Sequence, residues 1–518
     1  MLALLLVCLP QAPEAPAPID PDLADATTRQ AVFVRMRDQL FALGDEYEAH
    51  CLAHATTPRS RLRARALADL RERAARAQAA TRDGLARAMA TGHVGDVEHF
   101  WIVNGFAAMA DGDGVRALAT LPGVAWVHRQ TQPGAPQQRH PRRAAAWCAE
   151  RERDESVAHD LLQARGTEAP FLAGELQVPW TLQAIRADAA WATGATGSGV
   201  VIALVDSGIL AKAPLVHALW QNPRETPNGV DDDDNGFVDD LYGWDFDGDT
   251  RFVVGDGEQS HGTMCGGILA GRPFGTPATV TGVAPRARLM VLRGMGRLRG
   301  YEYAAAMGAD VLSMSYMWTD VELGSYRGVF RTAHEHLAAC GVVAVGGAGN
   351  FGRTMPAGRQ ITLPKDIPCV IAAAGIGENG EVPAFSSRGP CTWHDVPFFA
   401  DFPPTAPLPK PDVCGCAAGF PVWHWTQSRG RPLRVHWQDG ADFGLVTGPQ
   451  GNSFAGPHAG GVAALVLSVQ PELTPWRVQQ LLAASCKDLG EAGHDTTTGA
   501  GLLQADAAVA LARRAKVE

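Results

Sequence analysis

Val-Val-Ile-Ala-Leu-Val-Asp-Ser-Gly, residues 200–208, is an unbroken apolar run that ends on a carboxylate and a glycine. A strand with one wet face alternates apolar and polar residues. A run without alternation predicts a strand covered on both faces, as in a parallel sheet. Asp206 then stands at the carboxyl end of that strand, where open α/β sheets place their binding and catalytic groups. The fold class expected from this stretch is α/β: a doubly wound, mostly parallel sheet.

Two more motifs follow in order. His261-Gly262-Thr263 places an imidazole at a glycine. Residues 451–458, Gly-Asn-Ser-Phe-Ala-Gly-Pro-His, place Ser453 in a glycine-rich turn before the apolar run 462–467. A serine hydroxyl is a weak nucleophile until a base takes its proton. Histidine does this near neutrality, and a buried aspartate fixes its tautomer and stabilises the imidazolium. Ser453 is therefore read as nucleophile, His261 as general base then acid, and Asp206 as the orienting carboxylate. Pro457 is expected within the first turn of a helix, where its missing N–H is no loss. Ser453 would then lie near a helix N-terminus, beside free N–H groups. Residues 341–345 are a short apolar run followed by Gly346-Gly347-Ala348-Gly349-Asn350. The Asn350 amide and the Ser453 N–H would form a two-donor oxyanion hole.

Taken singly, such an Asp is a common turn or cap, such a Ser a common N-cap. Taken together, the order Asp206, His261, Ser453 and the surrounding motifs resemble the subtilisin family of serine proteases, and within it the bacillopeptidase F branch. The resemblance spans roughly residues 178–511. It includes Gly-Ala-Asp-Val-Leu-Ser-Met-Ser at 308–315, Phe-Ser-Ser-Arg-Gly-Pro at 385–390, Lys-Pro-Asp-Val at 410–413 and Gly-Ala-Gly-Leu at 499–502. It implies that the segment of Ser315, Tyr316 and Met317 pairs with substrate backbone and walls the primary specificity pocket. Gly347 is a further substrate-binding candidate, since Tyr316, Met317 and Gly346-Gly347 hint at an apolar pocket. The chain departs from the family at Asn452 (usually Thr), Gly456 (usually Thr or Ser), Met317 (often Gly) and residues 415–419. None of these removes a catalytic group.

The chain has 518 residues and a net charge of −10, with 46% hydrophobic and 19% charged residues. That is enough chain for a large core plus accessory parts, and the acidic balance argues against a nucleic-acid partner. The sequence holds no apolar run of 18 residues, so no spanning helix is expected. Residues 2–9 resemble a shortened signal h-region. The ten cysteines show no paired metal spacing. Cys340 and Cys369 precede two apolar runs and could pair, whereas Cys265 reads as a buried small hydrophobe.

The first 130 residues read as a separate α+β unit. Strand-like alternation occupies 30–37 and a long Ala/Leu/Arg-rich helix 58–90, containing nine arginines. A strand with a turn at Asn104-Gly105 covers 97–110, a short helix 111–121 and a last strand 124–128. The pattern resembles the ferredoxin-like inhibitor propeptide of subtilases, which assists folding and then blocks the active site. The Pro- and Arg-containing stretch 130–172 reads as a linker with a self-cleavage site. Residues 392–409 and 420–443, rich in aromatics, are expected as surface loops.

Asp231-x-Asp233-x-Asn235-Gly236 matches the first half of an EF-type calcium loop, with Phe237 offering its carbonyl and Asp239 a further ligand. Tyr242 stands where that loop would end in Glu. Crowded carboxylates repel unless a cation neutralises them, so Ca2+ is expected as a structural cofactor. A solvated acidic loop is the alternative.

The expected organisation is a signal segment at 1–20, a propeptide domain at 21–130, a linker at 131–174 and a catalytic domain at 175–515. The expected protein is a secreted or envelope endopeptidase made as a zymogen, acting on polypeptides and bound by its own propeptide. The rivals are an inert binding or scaffold protein with the same fold, and an esterase.

Overall fold

The computed structural model describes residues 15–131, 176–210, 212–255, 260–275, 277–318, 323–426, 433–439 and 442–517. The expected linker with its cleavage site and most of the expected signal segment lie outside them.

The N-terminal part runs β1 (Gln30–Met36), α1 (Gly44–Ala53), α2 (Arg59–Ala90), β2 (Val94–Phe100), β3 (Gly105–Ala110), α3 (Gly112–Ala119) and β4 (Val124–Arg129). The strands form an antiparallel sheet in the order β2-β3-β1-β4. Asp111 caps α3 by accepting the Gly114 N–H, as a short acidic side chain before a helix does. Helix α1 was not foreseen. It buries only Tyr47, and that ring meets Phe41 and Trp476 edge-on.

The larger part contains β5 (Val201–Val205), β6 (Gly243–Asp245), α4 (His261–Ala270), β7 (Arg288–Arg293), α5 (Leu298–Ala306), β8 (Val311–Met314), α6 (Arg327–Ala339), β9 (Val343–Gly347), β10 (Val370–Ile376) and β11 (Val413–Cys416). A small sheet follows, of β12 (Pro421–Trp425), β13 (Arg434–Asp439) and β14 (Phe443–Thr447). Helices α7 (Asn452–Val469), α8 (Pro475–Ala484) and α9 (Ala505–Arg514) complete it. Strands β5 to β11 make a seven-stranded sheet, order β11-β10-β9-β8-β5-β7-β6, in which every pairing is parallel. The expected doubly wound α/β sheet is thus observed.

The order reverses at β5, which pairs with β7 on one side and β8 on the other. Its side chains alternate between two cores. Ile202 and Leu204 join the cluster of α4, α7 and α9, whereas Ala203 and Val205 join that of α5 and α6. Both faces are dry, which is why the run 200–205 carries no polar residue. The crevice at such a switch point, outside the strand ends, is where α/β sheets bind ligands. Asp206 is the first residue beyond β5.

The N-terminal sheet covers α5 and α6: Phe33, Phe100, Ile102 and Val103 share their core. Buried Glu302 on α5 accepts the backbone N–H groups of Trp101 and Ile102, and burial pushes its carboxyl up to about 7. His336 on α6 accepts the Phe41 N–H at 3.1 Å and meets the Ile102 carbonyl with its other nitrogen. Arg59 pairs with Asp310 at 2.7 Å.

Of the two aromatic stretches before Ser453, residues 392–409 form no helix or strand, as expected of a loop, whereas the second is not a surface loop. Trp393 is fully buried beneath the guanidinium groups of Arg327 and Arg331, and residues 421–447 contain the three-stranded sheet. Cys340 and Cys369 are both buried and unpaired. No described helix is long and apolar enough to cross a membrane.

Candidate active site

Two backbone contacts assemble the site. Helix α4 begins against the turn after β5, where a Cβ on Gly262 would lie 2.1 Å from the Gly208 carbonyl. Helix α7 begins against the end of β9, where a Cβ on Gly347 would lie 1.9 Å from the Asn452 carbonyl. Glycine at 262 and 347 lets these backbones touch. The first contact brings His261 to Asp206; the second brings Ser453 to the Gly349-Asn350 turn. Gly456, where the family usually carries a hydroxyl side chain, serves the second contact as well: its Cβ would meet the Gly347 nitrogen at 2.5 Å.

His261 Nδ1 lies 2.8 Å from Asp206 Oδ1, which also accepts the Ser207 N–H at 2.8 Å. Burial works to raise the Asp206 pKa, but the charge and hydrogen bond of His261 outweigh it and hold it below the ordinary carboxylate value. The Asp206 charge in turn holds His261 well above its ordinary value. This is the arrangement that stabilises an imidazolium and leaves Nε2 as the working nitrogen.

Asn350 Oδ1 accepts the Asn452 N–H at 2.7 Å. That bond consumes the acceptor side of the amide, so the Nδ2 donors are what Asn350 has left to offer. Asn452 in turn donates to the Gly349 carbonyl at 2.8 Å and to Ser386 Oγ at 3.0 Å. The departure from Thr at 452 therefore ties the serine turn to the asparagine turn. A cavity of about 150 Å³ is lined by Ser315, Tyr316, Met317, Gly347, Gly349, Asn350, Phe351 and Ser453. The four residues expected to contact substrate thus share a cavity with Ser453 and Asn350. The Met317 sulfur would stand 2.7 Å from a Cβ on Gly349, so it walls that cavity.

Pro457 is not in the first turn. Helix α7 starts at Asn452 and holds Pro457 inside it. A proline leaves the carbonyl four residues earlier without its helical donor, and here that carbonyl belongs to Ser453. Ser315 Oγ fills the vacancy at 2.8 Å, with the Cys265 thiol at 3.5 Å. The segment just after β8 and helix α7 are thereby joined by one hydroxyl. Cys265 is a buried hydrophobe as expected, and burial pushes its thiol up, away from the reactive thiolate.

Lys365 was not foreseen. It is fully buried, its ammonium donates to the Tyr316 carbonyl behind the cavity, and burial lowers its pKa to about 7. No local spacing announces it, because the contact joins residues 49 apart.

The acidic loop lies away from the cavity. Asp231 accepts the Asn235 and Gly236 N–H groups. Asn235 accepts from the Phe237 N–H and donates to Asp240. Asp239 is held by Arg251 at 2.6 Å and by the N–H groups of Asn228 and Gly229. Carboxylate oxygens of Glu225, Asp231 and Asp233 lie within 4.8 Å of one another, and Glu225 had no place in the spacing argument.

The chain is 26% identical over 335 residues to a probable subtilase-type serine protease of Deinococcus radiodurans, covering 62% of this chain and 42% of that protein. It is 25% identical over 422 residues to subtilisin E of Bacillus subtilis, covering 79% of this chain and 82% of that one. To fervidolysin of Fervidobacterium pennivorans it is 27% identical over 349 residues, covering 64% and 43%. The match thus spans less than half the length of the first and third of these proteins. A family model for subtilases matches residues 197–501, a span that holds the Asp206–His261 pair, the cavity and more than half of the chain. The chain belongs to the subtilase family, the subtilisin-like serine proteases.

Proposed function

We propose that the chain is a secreted endopeptidase, made as a self-processing zymogen, that hydrolyses peptide bonds through an acyl-enzyme on Ser453. The observation that carries this reading is the Asp206–His261 pair at the sheet's switch point, with Ser453 and Asn350 on one cavity. His261 Nε2 takes the Ser453 Oγ proton as Oγ bonds to the scissile carbonyl carbon. The oxygen of that carbonyl becomes an anion and accepts from Asn350 Nδ2 and the Ser453 N–H. As the C–N bond breaks, the leaving amine takes the proton from His261, leaving an ester on Ser453. Water repeats the sequence, gives its proton to His261, and releases the acid.

The N-terminal unit is the propeptide in this reading. Its burial against α5 and α6 supports the role. So does Gln130, just after β4, which lines a second cavity with Gly296, Leu298 and Tyr326. A fluorophosphonate tests the reading: one adduct is expected, on Ser453 of the processed chain, together with cleavage of a peptide amide. Absence of both would leave a subtilase fold used as a scaffold; labelling with ester but no amide cleavage would make it an esterase.

Calcium is part of the proposal. The residues fit an oxygen-liganded cation: the Asp233 side chain is 3% exposed and its Oδ1 is buried with no hydrogen-bond partner, beside Glu225 and Asp231. Those three would hold the ion, which when bound would neutralise the loop's crowded charge. Calcium at 100 times its Kd is expected to stabilise the protein by about 2.7 kcal/mol, seen as a higher Tm than in chelator. Asp233→Asn should abolish the shift. An unchanged Tm in wild type would make this a solvated acidic loop.

A further inference from the structure

We propose that His424 is a positioning residue for the catalytic histidine. From β12 it holds Ser260, the residue before His261, in the left-handed backbone conformation from which α4 starts. The inference rests on the reading of His261 as general base.

Ser260 has φ 41° and ψ 32°, and it is fully buried. Residues with a Cβ enter this region at a steric cost, and such outliers persist where their surroundings over-determine them. The Ser260 side chain does not cap its own helix. Its hydroxyl is instead hydrogen-bonded with Nδ1 of His424, itself only 5% exposed. The backbone angles of Ser260 set the direction in which His261 leaves the turn, and hence the 2.8 Å contact of its Nδ1 with Asp206.

A second grip comes from the neighbouring residue. Trp423, 1% exposed, donates its indole N–H to Thr281 Oγ1 at 2.9 Å. Thr281 donates in turn to the Gly267 carbonyl of α4 at 3.0 Å. The indole lies so close to α4 that a Cβ on Gly267 would be 3.2 Å from it. Strand β12 therefore holds the histidine's helix at its first turn and again further along. Trp423 also stacks on Phe443 of β14, which braces β12 from behind. The acyl-transfer steps make no other use of this small sheet.

Active-site titration with a fluorophosphonate separates positioning from folding, because it counts competent sites before kcat is expressed per site. His424→Ala is expected to lower kcat per titrated site about 10- to 100-fold with KM little changed, the scale of a misplaced catalytic group. His424→Gln, which keeps a hydrogen-bonding side chain, should recover most of the loss. In a Ser260→Gly background the alanine variant should change kcat per site less than about twofold, since glycine enters the left-handed region freely. The inference fails if His424→Ala lowers only the titratable fraction or Tm and leaves kcat per site intact. It fails equally if the loss is the same with Gly at 260. A wild type without any titratable site overturns the serine-protease reading, and this inference with it.

Discussion

Ser453→Ala is expected to lower kcat for peptide hydrolysis about 10⁶-fold, the scale of the same change in subtilisin, and to leave the chain uncut. The size follows from the geometry. In the proposed mechanism Ser453 supplies the oxygen that becomes the acyl ester. The neighbouring Ser315 hydroxyl is engaged on the Ser453 carbonyl, and burial raises the pKa of the Cys265 thiol, which keeps it protonated. Alanine also leaves the helix start untouched, because the bonds of this turn run through the Ser453 carbonyl and the Asn452 side chain. The variant should therefore fold like wild type. Intact mass of purified wild type beside Ser453→Ala is the measurement. Wild type is expected to lose its N-terminal 130 to 175 residues while the variant stays whole. A variant that is processed like wild type would point to cleavage by another protease.

Asp206→Asn is expected to lower kcat about 10⁴-fold with KM little changed. In the proposed mechanism the carboxylate accepts the proton of His261 Nδ1 and leaves Nε2 free to act as base. An amide at 206 can donate to Nδ1, which places the proton on Nε2 and disables it. The pH profile gives an independent check. His261 must be neutral to act as base, so activity is present above its pKa and lost as pH falls through it. The Asp206 charge holds that pKa above 6.5, so the acid limb of kcat/KM in wild type should lie above that pH. Removing the charge should move the limb to lower pH. A variant within tenfold of wild type, or an unmoved limb, would show that Asp206 does not orient the base.

Much of the fold was legible because each decisive signal is local. The run 200–205 reads as a doubly covered strand without any knowledge of what covers it. The Asp, His and Ser motifs lie at a strand end and two helix starts, where the flanking residues announce the turn. What was misread depended on contacts between distant segments. Trp393 and Trp423 lie in Pro-rich and polar surroundings that suggest loops, yet each finds a buried partner far along the chain. Helix α1 has no apolar stripe of its own and rests on Trp476. Asp239 matched a calcium-ligand spacing, but Arg251 reaches it from 12 residues away, and Glu225 stands beside Asp231 and Asp233. Pro457 follows the rule for a first turn until Ser315 supplies the hydrogen bond that a proline denies to Ser453.

The sequence by itself determined the sheet's character and the family, and it named Asp206, His261, Ser453 and Asn350 as the candidate catalytic groups. Backbone dryness and side-chain chemistry are properties of residues and their immediate neighbours. The tertiary structure alone decided how these groups meet: Gly262 against Gly208, Gly347 against Asn452, Ser315 on the Ser453 carbonyl, His424 on Ser260. Those contacts join segments that no spacing rule relates, and they form only when the parallel sheet brings the ends of β5, β8 and β9 to one edge.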